Sequence, residues 1–367
     1  MTSGTRPWRR RLLLSAVSAT CSGALTAVAL VSGTAGAAAR DTVAIGNPVA
    51  GNNGFGVVTE GDATLGSTES EGPVAVGGDL TFGDGYDVSV HTAGTFTAPD
   101  DSRPTALLVG GQVDYAGSSQ VGVLRVLQSG YVKLGRMTGG RVLTRDDNGA
   151  SADTHVAMSG FPYDSTPRIE LTTRQPATSV TRSGLMDFPS LFSTYRDRAD
   201  AMAECAANVR ATVPDNGRLE IALTPGRTNV VRLTGEELDD ISTLTFLNPP
   251  AADTPVLFVV DTTGTDGAFT WNTPTLAGVS GANAPYMLWD FPDATSMTIA
   301  SGDTMIGTLY APRAAVTDLA SSDIEGDVIV KSLVAGPLSG QSASAVDAGE
   351  IHYSPFAAEL RCEPWAP

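Results

Sequence analysis

Short alternating runs broken at glycines set the polar and apolar pattern of the chain. The clearest is Gly72–Asp84, GPVAVGGDLTFGD, inside Gly61–Gly85. Val74 and Val76 share one face, the Gly77-Gly78 pair interrupts, and Leu80 and Phe82 resume the beat. A period of two predicts strand, tight corner, strand, because successive side chains on an extended backbone point to opposite faces. Ile324–Val334 (IEGDVIVKSLV) repeats the pattern, and Glu-Gly leads into both stretches, as Glu71-Gly72 and Glu325-Gly326. Further copies, in which glycine precedes alternating apolar residues, begin at Gly111, Gly130 and Gly140. Their spacing is uneven, whereas a strict repeat holds one period. Over residues 61–145 this fits a β-helix with rungs of unequal length or an ordinary β-sandwich.

One long helix stands out at Phe188–Arg210. Phe188, Leu191, Phe192, Tyr195, Ala199, Met202, Ala203, Ala206 and Val209 recur at three and four and make one apolar stripe. Asp187 is placed to cap it, Pro189 is tolerated in the first turn, and Pro214 bars continuation. Cys205 falls on the edge of the stripe. Residues 146–185 are polar and proline-interrupted, a loop with one or two strands. Beyond the helix, alternation predicts strands at Leu219–Leu223, Asn229–Leu233, Leu244–Leu247, Val256–Val260, Met287–Phe291, Met297–Ile299, Met305–Tyr310 and Asp327–Val330. A helical turn is expected at Gly235–Asp240. The expected fold is mainly β: an irregular right-handed β-solenoid spanning residues 40–367, with the helix packed alongside inside an insertion at 146–215.

Composition adds the compartment. With 40 Gly and 22 Pro among 367 residues, the chain is rich in corners, and aliphatic residues outnumber aromatics, so thin core layers are expected. Residues 1–39 read as a signal peptide: Arg6, Arg9, Arg10 and Arg11 precede the interrupted apolar run Leu12–Val31, and Ala-x-Ala sites follow at 35–39. Arg9-Arg10-Arg11-Leu12-Leu13 also satisfies a loose twin-arginine pattern. Removing these four arginines from the 23 Lys+Arg leaves 19 against 40 Asp+Glu, net −21. That balance disfavours nucleic acid and anionic membranes as partners, and no other apolar stretch is long enough to insert in a membrane. Two cysteines remain, Cys205 and Cys362, and an oxidising compartment pairs them as one disulfide. No cofactor is expected. Asp146, Asp147, Asn148 and Asp153 offer oxygens to calcium but lack the spacing of an EF-hand loop, so a solvated turn is the simpler reading.

From Pro285 the motifs become recognisable. They are LWDFPDAT with Trp289, Phe291 and Pro292, and IGTLYAPRA with Ala311 and Pro312. Ile324-Glu325-Gly326 follows, then GEIHYSPF with Glu350, His352 and Phe356. Together with Glu71, Gly72, Gly77 and Gly78 they resemble the choice-of-anchor A family of bacterial exported proteins over about residues 45–360. The resemblance implies a β-solenoid-like fold with a helix alongside, similar to ice-binding-like and adhesin domains, and a role at the cell surface or in the matrix. Some members are described as collagen-binding. The motif residues are expected to be structural: Phe291-Pro292 and Ala311-Pro312 ending strands at corners, Gly326 allowing close stacking, and Glu325 and Glu350 capping turn amides. The chain departs from the family at Asp290 and Arg313, where asparagine is usual. No sorting motif or hydrophobic tail follows Phe356, so release into the medium is expected.

Three function classes follow. The first is a secreted, non-catalytic adhesive module that binds an extracellular glycan or a collagen-like matrix protein. Thr92, Thr95, Thr97, Thr243 and Thr245 are its candidate surface residues. The second is a polysaccharide-acting β-helix enzyme, for which Asp100-Asp101 and Asp239-Asp240 are the paired carboxylates on offer. The third is a structural coat or ice-binding-like protein, which needs a regular Thr/Ser/Ala ladder that uneven rungs disfavour.

Overall fold

The computed structural model describes residues 42–211, 216–338 and 348–365. The expected signal peptide, the twin-arginine pattern, Pro214 and the last two residues lie outside them. The fold is mainly β and its sheets are largely parallel. Each pass of the chain lays short strands on successive sheet surfaces, then turns and lays the next pass alongside. Val57–Thr59, Ala63–Leu65 and Glu69–Ser70 form one pass, and Val74–Val76, Leu80–Phe82 and Gly85–Val88 the next. Register is kept on all three surfaces, with Val57 opposite Val74, Ala63 opposite Leu80, and Glu69 opposite Asp87.

The passes do not stack in chain order. Val57 pairs with Val74 on one side and with Val328 on the other. The first pass therefore sits mid-stack. Strands grow outward from it through Thr105–Val109 to Tyr131–Leu134. The chain then crosses over and returns from the opposite end through Asn229–Thr234, Val256–Asp261, Met287–Asp290 and Thr308–Asp318 to Val328–Ala335. Gly72–Asp84 and Ile324–Val334, far apart in sequence, are separated by a single pass.

The crossing is made by the helix Phe188–Ala203. Asp187 caps it by accepting from the Ser190 amide, and Phe188, Phe192, Tyr195, Ala199 and Met202 are its buried stripe. They pack on Val58, Ala75, Leu108, Val230, Leu257, Leu288, Tyr310 and Ile329 from successive strands. Arg196 pairs with Glu60, Arg313 with Asp200, and Arg232 reaches the carbonyls of Ala203 and Cys205. Sixteen residues give about 24 Å of helix, roughly five strand spacings. The helix stops before the expected Arg210 because the following backbone pairs with the C-terminal segment: Ala206 N donates to Glu363 O at 2.9 Å and Trp365 N to Glu204 O at 2.6 Å. Cys205 thus lies just past the helix, where the expected disulfide to Cys362 forms with Cα atoms 5.5 Å apart.

Glycine makes the corners possible. A Cβ on Gly77 would lie 2.1 Å from Glu60 O, and one on Gly78 2.1 Å from Asp62 Oδ1. Aliphatic side chains, with Phe82 and Tyr86 among them, fill the N-terminal passes. The C-terminal passes instead hold an aromatic cluster, with Phe258 and Trp289 stacked at 3.8 Å beside Trp271 and Phe291. Two local expectations are corrected. Gly140–Arg145 is one arm of an antiparallel hairpin with Ser151–Met158, so it is no rung. Ala311-Pro312 lies inside the strand Thr308–Asp318, where the register shifts, and ends nothing. Ala268–Thr273 is a strand that the alternation of Phe269 and Trp271 already signals.

Candidate binding surfaces

One limb of the thirteen-stranded sheet carries a regular polar surface. Five strands place a threonine between buried residues: Phe269-Thr270-Trp271, Met297-Thr298-Ile299, Val316-Thr317-Asp318, Ala63-Thr64-Leu65 and Leu80-Thr81-Phe82. Buried neighbours turn the threonine outward, since adjacent residues on a strand face opposite sides. Register then aligns them. Thr270 pairs with Thr298, Thr298 with Thr317, Thr317 with Val334, Val334 with Thr64, and Thr64 with Thr81. At about 4.8 Å per strand the row is roughly 24 Å long, interrupted once by Val334. Ala268, Ser296, Ala315 and Ser332 run beside it. Asp62 and Asp79 close the corner: Asp62 accepts from the Asp79 amide at 2.7 Å, and Asp79 from the Gln112 amide and Arg136, both at 3.0 Å. The threonines singled out from sequence are elsewhere. Thr92, Thr95 and Thr97 lie in a loop, and Thr243 and Thr245 pair with Arg218 and Glu220 in a separate three-stranded sheet.

The nine-stranded sheet presents charge instead. Glu69, Asp87, Arg125 and Glu170 follow one another in register across four parallel strands, and Arg125 grips Asp87 with two bonds of 2.6 and 2.9 Å. His352 is in register with Glu325. Its Nδ1 lies 3.0 Å from Glu325, and its Nε2 lies 3.2 Å from Glu350 and 3.9 Å from Asp323. Glu71 accepts from the Tyr353 amide at 2.9 Å and pairs with His91 at 3.0 Å. Four motif residues from three separate parts of the chain, Glu71, Glu325, Glu350 and His352, are thus brought together. Glu71 caps an amide, whereas Glu325 and Glu350, expected to do so, hold an imidazole. Burial disfavours the charged form of His352, but the charges of Glu325 and Glu71 and the hydrogen bonds to Glu350 and Glu325 outweigh it and raise its pKa. Burial, then the charges of Glu350, Asp87 and Glu71, raise that of Glu69. Among the described residues, Asp323, Glu350 and His352 offer ligand atoms within 4.8 Å of one another. This donor set suits a divalent cation, and protonation of His352 offsets part of its negative charge.

The remaining motif residues lie in the core or at corners. Trp289 Nε1 donates to Ile306 O at 2.9 Å, and Phe291 and Phe356 are buried. Pro292 O accepts from Arg313, and Cβ atoms on Gly72 and Gly326 would lie 2.2 Å from the Tyr353 ring and 2.5 Å from Gly307 O. In the suggested calcium loop, Asp146 accepts from the Asn148 and Ala150 amides and Asp147 from that of Tyr163, so their oxygens stabilise a turn. Asp100 is exposed near Arg182 while Asp101 is buried against Lys133, and Asp239 accepts from Asn272. Among the described residues no helix is long and apolar enough to cross a membrane.

Residues 48–342 match the family described as "Putative Ice-binding-like adhesive domain". No curated protein matches the chain. Among solved structures, an ice binding protein from an Antarctic Biological Consortium is similar at 14% identity, with a TM-score of 0.31 over 86% of this chain and 92% of that one. The family match takes in the threonine row, the long helix and most of the charged sheet, and the chain belongs to this family of ice-binding-like adhesive domains.

Proposed function

We propose that this protein is an exported, non-catalytic adhesive module of the choice-of-anchor A type. In this reading it is an irregular β-solenoid that holds a repetitive extracellular ligand, a glycan or a collagen-like protein, on its threonine row. The observation that carries the reading is the register of Thr270, Thr298, Thr317, Thr64 and Thr81. Hydroxyls repeating about every 4.8 Å on a rigid sheet are already ordered, so a ligand with a linear repeat meets them at low entropic cost. The carboxylates suggested for catalysis support the non-catalytic reading, because Asp100 and Asp101 diverge and Asp239 is occupied by Asn272. Membership of an adhesive family supports an external location.

The test is a Thr298→Tyr, Thr317→Tyr double variant screened on glycan and collagen arrays beside Glu325→Gln on the charged sheet. The double variant should lose at least tenfold in binding while Glu325→Gln binds as the wild type does. Equal binding by the double variant refutes the threonine row. The same row favours a second reading in which the repeating ligand is an ice surface. Thermal hysteresis that the double variant abolishes, with no array binding, decides for it.

A further inference from the structure

We propose that Lys133 and Asp101 are joined by an intramolecular isopeptide bond between Nζ and Cγ. Of the two lysines in the protein, Lys331 is exposed and Lys133 is not. Lys133 lies in the end strand Tyr131–Leu134, and its side chain is 0% exposed, that of Asp101 3%. Its Nζ touches Oδ2 of Asp101, and Oδ2 has no other partner. The other neighbours of Nζ are the Ser179 carbonyl and the Tyr131 ring, whose centroid is 5.8 Å away.

The surroundings favour reaction over a lasting ion pair. Removing both charges from water is costly, and one ion pair with one carbonyl hydrogen bond does not offset it. Burial lowers the pKa of the ammonium, although the hydrogen bond to Asp101 and its charge oppose this. A proton passes from Nζ to the carboxylate and leaves a neutral amine beside a neutral acid. The nitrogen lone pair then forms the bond to Cγ, the C–O bond breaks, and the hydroxyl departs with a proton from nitrogen as water. Ammonium and carboxylate thus become a secondary amide and one water, with no oxidant or co-reactant. Groups held in contact react as though at concentrations on the order of 10⁵ M or more, and a dry pocket does not return the water. The neutral amide also removes the buried charges. It ties the turn carrying Asp101 to the end strand, whose outer edge is covered by Gln175 and a bridge from Leu134 to Thr181.

Mass spectrometry of the purified, disulfide-reduced protein with its N-terminus sequenced is the test. The intact mass should be one water below that of the linear chain. A branched peptide should connect Lys133 with Asp101, and both features should vanish in Lys133→Met. A wild-type protein at full linear mass, or a digest in which Lys133 appears mainly in a linear peptide, overturns the proposal. Because the wild type decides it, poor folding of the variant does not obscure the answer.

Discussion

Replacing Asp327 with asparagine should stabilise the protein at neutral pH and flatten its pH dependence. Asp327 is fully buried just before the strand Val328–Ala335. Its Oδ2 accepts from the Phe356 amide at 2.9 Å, while Oδ1 has no partner. Burial therefore raises its pKa from 3.8 to about 7, against the hydrogen bond from Phe356, which lowers it. The folded state holds this proton more tightly than the unfolded chain does. Stability from the protonated form is complete below about pH 4, falls as pH rises, and is lost once pH passes about 7. Three pH units at about 1.4 kcal/mol each put the effect near 4 kcal/mol. Asparagine keeps the shape and the accepting oxygen without the charge. Guanidinium unfolding at pH 4, 6 and 8 and fixed ionic strength measures the difference between variant and wild type. It should be near zero at pH 4 and about 4 kcal/mol in favour of the variant at pH 8. A difference that stays constant across pH, or that shifts toward the wild type as pH rises, refutes the reasoning. Asp318, also raised to about 7 by burial, remains in the variant and leaves a residual slope of the same sign.

Two other outcomes are expected. Opening the Cys205–Cys362 bridge by double Cys→Ser substitution frees a loop with a sequence separation of 157. On the chain-entropy model this costs about 5 kcal/mol, read as a lower denaturant midpoint that reductant no longer changes. Gly78→Ala places a Cβ 2.7 Å from the Asp62 backbone nitrogen as well as against its side chain. Thermal unfolding should report a loss of about 3 kcal/mol, since backbone on the facing rung cannot move aside without breaking the corner.

Much of the local structure was legible because its causes are local. The strands at Asn229–Thr234 and Val256–Asp261 follow from alternation, and Thr234 closes the expected helical turn with a reciprocal cap to Glu237. The helix start follows from Asp187 and the stripe, but its end does not, because a segment over 150 residues away in sequence claims its backbone. The threonine row was half legible. The apolar-Thr-apolar triplets are visible around Thr64, Thr81, Thr270 and Thr298, but uneven rungs concealed that they align. Uneven loops do not disturb register when the extra residues leave at the corners, as those between Val88 and Thr105 do before Thr105–Val109 pairs in register with Val74–Val76.

By itself, then, the sequence determined the strands, the corners, the crossing helix and the pair of cysteines. Each depends on periodicity, on a cap, or on having two thiols and no third after residue 39. Tertiary structure alone decided that Val57 sits between Val74 and Val328, that five threonines form one row, that His352 meets Glu325 and Glu350, and that Lys133 meets Asp101. Parallel pairing joins residues whose separation along the chain is arbitrary, so nothing local specifies which strand lies beside which. That choice is made by burying the helix stripe and both faces of the stack at once.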